Sequence, residues 1–131
     1  MTDDKPVSPR QDLLERERAE NFISTYANNI WYESSAWDLK LIFGQLDQSG
    51  SKAAVKQNVA VTIPWAQAKL TLYYLRVQIE AMEVQSGKIA IRKDLIPPEP
   101  PPLTPEQEAI PGGKELRDLI LKLRQEFIAN L

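Results

Sequence analysis

Residues 55–72 read Val-Lys-Gln-Asn-Val-Ala-Val-Thr-Ile-Pro-Trp-Ala-Gln-Ala-Lys-Leu-Thr-Leu, and within them the apolar period changes. Up to Ile63, the residues Val55, Gln57, Val59, Val61 and Ile63 alternate with Lys56, Asn58, Ala60 and Thr62, the period of two that marks a strand. Beyond it Trp65, Ala68, Leu72, Leu75, Ile79 and Met82 recur at steps of three and four, the apolar stripe of a helix. Pro64 suits the first helical position, where an N–H would have no partner, with Thr62 or the adjoining backbone as cap. Gly87, following Ser86, suits the left-handed position just past a helix. The expectation is a strand that runs directly into a helix of roughly Pro64 to Gln85.

Upstream, Trp37, Leu39, Leu41 and Phe43 alternate with Asp38 and Lys40, as in a strand with one buried face. Before it, Phe22 to Tyr32 is rich in β-branched and aromatic residues at period two, and Ser34-Ser35 is expected to turn the chain. Asp47-Gln48-Ser49-Gly50-Ser51 has loop composition. Three such runs predict an antiparallel meander, with the helical stripe laid over Trp37, Leu39, Leu41 and Phe43. Lys88-Ile89-Ala90-Ile91-Arg92 alternates again and offers a short fourth strand. Leu70, Tyr73 and Val77 fall outside the helical stripe. A helix apolar on more than one side needs a second partner, which points to a two-fold homodimer.

The flanks differ in kind. Ser8-Pro9-Arg10-Gln11 has the form of a capping box with proline at the first position, predicting a polar helix to Glu20 that has only Leu13 and Leu14 to bury. Residues 97–105 hold six prolines in nine positions and are expected to form a stiff polyproline II spacer of about 3.1 Å per residue. Glu106 to Ala109 can form one turn before Pro111-Gly112-Gly113 ends it. A last helix from Lys114 to about Asn130 carries Leu116, Ile120, Leu123 and Phe127 on one side, widened by Leu119, Ile128 and Leu131. The organisation is thus a polar N-terminal helical segment (1–21), an α+β core domain (22–93), a Pro-rich linker (94–112) and a C-terminal amphipathic helix (113–131).

Composition excludes much chemistry. The 131 residues include no cysteine and no histidine. Disulfides, thiolate nucleophiles, Ser-His-Asp triads and ordinary zinc sites are therefore ruled out. Lysine and arginine number 16 against 18 acids. Residues 22–93 hold eight basic residues and five acidic ones, so the centre is mildly basic and the flanks acidic. No run approaches the ~18 apolar residues that cross a bilayer. Met1-Thr2-Asp3-Asp4-Lys5-Pro6 lacks the basic start and apolar run of a signal peptide, so a cytoplasmic location is expected.

The short segments Tyr26-Ala27-Asn28, Ser35-Ala36-Trp37-Asp38-Leu39, Phe43-Gly44, Pro64-Trp65-Ala66-Gln67-Ala68-Lys69 and Gly87-Lys88-Ile89 occur in this order over residues 22–91. In that order the chain resembles the bacterial and archaeal family catalogued as domain of unknown function 3467. Ala36 stands where that family tends to have proline, and Ile63 where it tends to have a capping serine. The resemblance implies the order of strands and helix, and it carries no activity. The N-terminal segment, the Pro-rich linker and the last helix lie outside it.

Candidate sites are few. Glu33, Asp38 and Asp47 lie near the aromatic strands, and paired carboxylates can serve acid–base chemistry or a hard cation. No second ligand motif accompanies them, and strand acids are more often solvated. The 47–51 loop lacks the later carboxylates and closing glutamate of a calcium loop, and Gly50-Ser51-Lys52 fails phosphate-loop spacing. No catalytic, cofactor or metal site is assigned, and the chain is expected not to be an enzyme. Tyr26, Trp31, Tyr32 and Trp37 with Lys40, Lys52 and Lys56 could make a stacking platform for single-stranded nucleic acid. Core or dimer packing explains such aromatics more simply. Asn28-Asn29 fits a recognition pair, and a turn or bulge equally well. The last helix, on a proline spacer, suits a docking element that lays Leu116, Leu119, Ile120, Leu123 and Phe127 into a partner's groove. Folding back onto its own chain is an equal alternative. A membrane surface fits less well, because Glu115, Asp118 and Glu126 offset Lys114, Arg117, Lys122 and Arg124. The leading expectation is a small adaptor; the alternative is a nucleic-acid-binding module.

Overall fold

The computed structural model describes residues 10–131. The fold is α+β and comprises two units, 1–65 and 66–131, each treated separately below. The first unit is a three-stranded antiparallel sheet in the order β1 (Asn29–Ser34), β2 (Asp38–Asp47), β3 (Ala54–Pro64). The second contains the body of helix α1 (Trp65–Ser86), the single turn α2 (Pro105–Glu108) and helix α3 (Gly113–Ala129).

β1 and β2 are joined by Ser35, Ala36 and Trp37, with Ala36 and Trp37 enclosed by the bond in which the Ser35 N–H donates to the Asp38 carbonyl at 2.9 Å. Two-residue hairpins favour left-handed residues, but no non-glycine residue here has positive φ. The Ser35 hydroxyl compensates by accepting the N–H groups of Trp37 and Asp38, both at 3.1 Å. Trp37 therefore sits at the hairpin tip, 85% exposed, and does not belong to the buried strand face on which its alternation placed it. The Trp65 indole N–H then ties the end of β3 back to this turn through the Ser35 carbonyl, at 3.0 Å.

Cross-strand pairing puts Tyr32, Leu41 and Val61 in one row and Ile30, Phe43 and Val59 in the next. Leu39, Leu41, Phe43, Val59 and Ile63 on this face are half-buried. The alternation of β3 breaks where Phe43 pairs with Val59 but Gly44 pairs with Gln57, leaving Asn58 as an extra residue. This β-bulge moves Val55 and Gln57 to the face opposite Val59, Val61 and Ile63, correcting the single face that period two assigned to all five. Gly44 sits at the bulge and is the one buried residue among those described. A Cβ there would lie 2.6 Å from the Lys56 carbonyl oxygen and 2.8 Å from Val55 Cγ1.

Several expectations change. The helix expected over 8–20 is reduced, among the described residues, to a 3₁₀ turn at Gln11–Leu13; Ser8 and Pro9 lie outside them. An Arg/Glu-rich segment with two leucines has no face to pack, and short helices without packing do not hold in water. The strand expected from Phe22 begins only at Asn29. Lys88–Arg92 forms no strand. Gly87, at φ +83°, donates its N–H to the Glu83 carbonyl as a left-handed helix end, and the Glu83 carboxylate then takes the Ile89 N–H at 2.9 Å. The Ile89 N–H is thereby drawn to the helix end.

Candidate functional site

The second unit is organised around the Pro-rich segment. Polyproline carries carbonyls but few N–H groups, and its extended helix makes no internal hydrogen bonds. Its acceptors are exposed and evenly spaced. Arg117 on α3 donates from Nε to the Pro101 carbonyl at 3.0 Å and from Nη2 to that of Pro100 at 3.2 Å. Arg124, two turns on, donates from Nε to the Pro97 carbonyl at 2.8 Å and lies 3.9 Å from the Glu99 carboxylate. The spacings match: seven helical residues rise about 10.5 Å, and three to four polyproline residues span about 9–12 Å. The planar guanidinium fork is what lets one side chain hold two carbonyls.

The segment thus runs antiparallel to α3 as a strap, not as a free spacer. Ile96, Pro100 and Leu103 are half-buried, as are Gly113, Arg117, Leu121 and Arg124 facing them. The reversal between strap and helix is built locally. The Thr104 hydroxyl accepts the Gln107 N–H at 3.2 Å, and the Gln107 side chain accepts the Thr104 N–H at 3.0 Å, a complete capping box for α2. Gly112, at φ +81°, then admits the chain into α3. Arg117→Lys should keep the charge but lose one of two carbonyl contacts. About 1 kcal/mol of strap stability goes with it, seen as a lower thermal midpoint of the α3 helical signal.

The five residues proposed to dock lie about a quarter-turn round α3 from the strap. Leu116, Leu119, Ile120, Leu123 and Phe127 are 40–58% exposed. Phe127, with Leu131, also lines a mostly apolar cleft of 660 Å³ shared with Leu72, Leu75 and Ile79 of α1 and with Ile89. Lys88 Nζ donates to the Asn130 carbonyl at 3.1 Å at its edge. The strap could have been anticipated only from Arg117 and Arg124 standing seven apart on the side facing the prolines.

The other candidates are absorbed by local structure or dispersed. Asp38 Oδ1 accepts the Ser35 hydroxyl at 2.9 Å in the hairpin turn. Asp47 Oδ1 accepts the Ser49 hydroxyl at 2.6 Å and the Ser49 N–H at 2.9 Å. These two bonds, the hydroxyl's foremost, hold the Asp47 carboxyl below the ordinary Asp value. Because the folded value is the lower one, this contact stabilises the loop at neutral pH and is lost as pH falls through it. Ser49→Ala removes the hydroxyl bond but keeps the N–H bond, so it should raise the Asp47 titration, followed by NMR, part of the way back to the ordinary Asp value. Among the described residues no three potential ligands gather into a metal site.

Asn28 precedes β1 and is tied to β2 beside the bulge. Its N–H donates to the Gly44 carbonyl at 3.0 Å and its Oδ1 accepts the Leu46 N–H at 2.9 Å, while Gln45 Nε2 donates to the Tyr26 carbonyl at 3.0 Å. The Tyr26-Ala27-Asn28 and Phe43-Gly44 segments thus meet at Gly44. The nucleic-acid set is divided: Tyr32 and Lys56 share one sheet face, Lys40 stands on the other directly across from Glu33, and Lys52 lies in the β2–β3 loop. Tyr26 precedes β1. No helix among the described residues is long and apolar enough to cross a membrane. Comparison of the chain with protein-family models, with curated proteins and with solved structures finds no match in any of the three.

Proposed function

We propose that the protein is a non-enzymatic adaptor, cytoplasmic and homodimeric, whose helix α3 docks on a protein partner through Leu116, Leu119, Ile120, Leu123 and Phe127. One observation carries this reading. The strap fixes α3 by one face and leaves a neighbouring row of five large apolar side chains open to solvent. A preformed amphipathic helix presented this way loses little entropy on entering a groove. Arg117 and Arg124, two of the four cations of α3, are occupied by strap carbonyls, which favours a protein groove over an anionic membrane surface. Kinship with the domain of unknown function 3467 family remains part of the proposal, supported by the motif order and by the meeting of two motifs at the bulge. The test is capture of a partner by the full chain, with identification by mass spectrometry. Truncation after Ile96 should abolish capture. A salt-sensitive shift on single-stranded DNA or RNA, lost on changing Lys52 and Lys56, would instead support nucleic-acid binding.

A further inference from the structure

Residues 22–34 read Phe-Ile-Ser-Thr-Tyr-Ala-Asn-Asn-Ile-Trp-Tyr-Glu-Ser, with Glu33 as their single charge. Only the second half is a paired strand. β1 is an edge strand of the sheet, and all six of its residues are exposed. Residues 22–27 run up to it without turn or bend and have no strand partner among the described residues. Phe22, Ile23, Tyr26, Ile30, Trp31 and Tyr32 are 40–71% exposed. Natural proteins guard an open edge with lysine, proline, a bulge or shortness. The other edge strand, β3, has Lys56 and the bulge at Asn58. Residues 22–34 hold no lysine, arginine or proline.

The backbone bonds show which groups stay open. The Ser35 N–H donates to the Asp38 carbonyl in register with the β1–β2 ladder. Bonding groups alternate sides along a strand, so Glu33 and Trp31 also bond β2, while Ile30, Tyr32 and Ser34 turn their N–H and C=O groups outward. Before β1, the Asn28 N–H bonds the Gly44 carbonyl and the Tyr26 carbonyl accepts the Gln45 side chain. Both face β2, and by the same alternation Ala27, Thr25 and Ile23 turn outward. Three open residues of this arm therefore match three open residues of β1. The arm cannot lie on the β1 of its own chain. It leads directly into that strand and is held beside β2 at Tyr26 and Asn28.

We propose that residues 22–27 are an exchanged arm, which pairs antiparallel with the outer edge of β1 of a second copy and receives that copy's arm in return. The two-fold axis passes between Asn28 and Asn29. The inference rests on the homodimer put forward above and names its surface. Two three-stranded sheets become one of six strands. In this register Ala27 faces Ile30 of the second copy, Thr25 faces its Tyr32 and Ile23 its Ser34, each as a hydrogen-bonded pair. Between these, Tyr26 meets Trp31 and Ser24 meets Glu33. Aromatic–aromatic and β-branched–aromatic pairs stabilise antiparallel strands, and no like charges are opposed. The self-match selects a second copy as the occupant, because one axis satisfies arm and edge together.

The absence of natural cysteine makes the test clean. Full-length Ser24→Cys/Glu33→Cys is oxidised mildly and read on non-reducing gels, with light scattering of the unmodified chain alongside. The double variant should form a covalent dimer, because positions 24 and 33 of the two copies face each other about 5 Å apart. Each single variant should stay uncrosslinked, since its two thiols lie about 30 Å apart along the paired strands. Thr25→Pro removes an N–H that has no acceptor among the described residues of its own chain. It should spare the fold yet raise the dimer dissociation constant at least about tenfold, one bond being lost from each arm. A dimeric mass with no crosslink in the double variant would overturn the exchange and leave the homodimer standing, as would an unchanged dissociation constant for Thr25→Pro. Ala60→Cys crosslinking by itself would place the contact on the β3 edge and overturn the exchange likewise. A monomeric mass would overturn both exchange and homodimer. Docking through α3 is judged separately, by partner capture, and stands or falls independently.

Discussion

Gly44→Val should abolish the native sheet, and Gly44→Ala should lower its stability by about 1–3 kcal/mol, the usual cost of overpacking. The neighbours of the missing side chain decide this. Two of the three atoms a Cβ would meet are backbone, the Lys56 carbonyl oxygen at 2.6 Å and Gln57 Cα at 3.1 Å. Neither can rotate away, so β2 and β3 must part at the bulge. The damage spreads because Asn28 and Gln45 are anchored at the same place. Typical stabilities are only about 5–15 kcal/mol, and this unit buries no large side chain among its described residues, so it has little in reserve. Urea unfolding followed by tryptophan fluorescence should show a clearly lower midpoint for Gly44→Ala. Gly50→Ala is the control: its Cβ would meet only the Lys52 carbonyl oxygen, at 3.8 Å, and the change should stay within about 0.5 kcal/mol.

The same bulge marks where sequence reading stopped. Strands β2 and β3 and helix α1 were legible because their apolar periods run long enough to be unambiguous. The bulge was not, since one inserted residue, Asn58, leaves no mark on composition and silently exchanges the faces of Val55 and Gln57. Trp37 was misplaced because its alternation continues that of Leu39 and Leu41, while the Ser35 hydroxyl that closes the hairpin acts through backbone N–H groups. Alternation at Lys88–Arg92 suggested a strand that would have needed an edge to pair with. The prolines were legible as extended, but their carbonyls advertise no partner in sequence, so the strap emerged only with Arg117 and Arg124 in place. The docking stripe was visible from its spacing of three and four. What covers it was not, because a helix that packs at home and one that packs on a partner carry the same pattern.

The second large effect concerns that stripe. Replacing Leu119 and Leu123 together by glutamate should reduce partner affinity by about 1,000-fold, the loss of two buried anchors at about 2 kcal/mol each. It should leave the protein's own fold almost untouched. Both leucines are about half exposed, neither lines the cleft, and the strap contacts belong to Arg117 and Arg124. Glutamate is a good helix former, so α3 itself should persist.

Light scattering with far- and near-UV circular dichroism on the full-length Leu119→Glu/Leu123→Glu protein, beside the parent, addresses the docking claim most directly. The same mass, the same helical content and a thermal midpoint within a few degrees are expected if the stripe is a free docking surface. Dissociation, aggregation or loss of the near-UV signal would show instead that α3 completes the protein's own core, and the adaptor reading would fall with it.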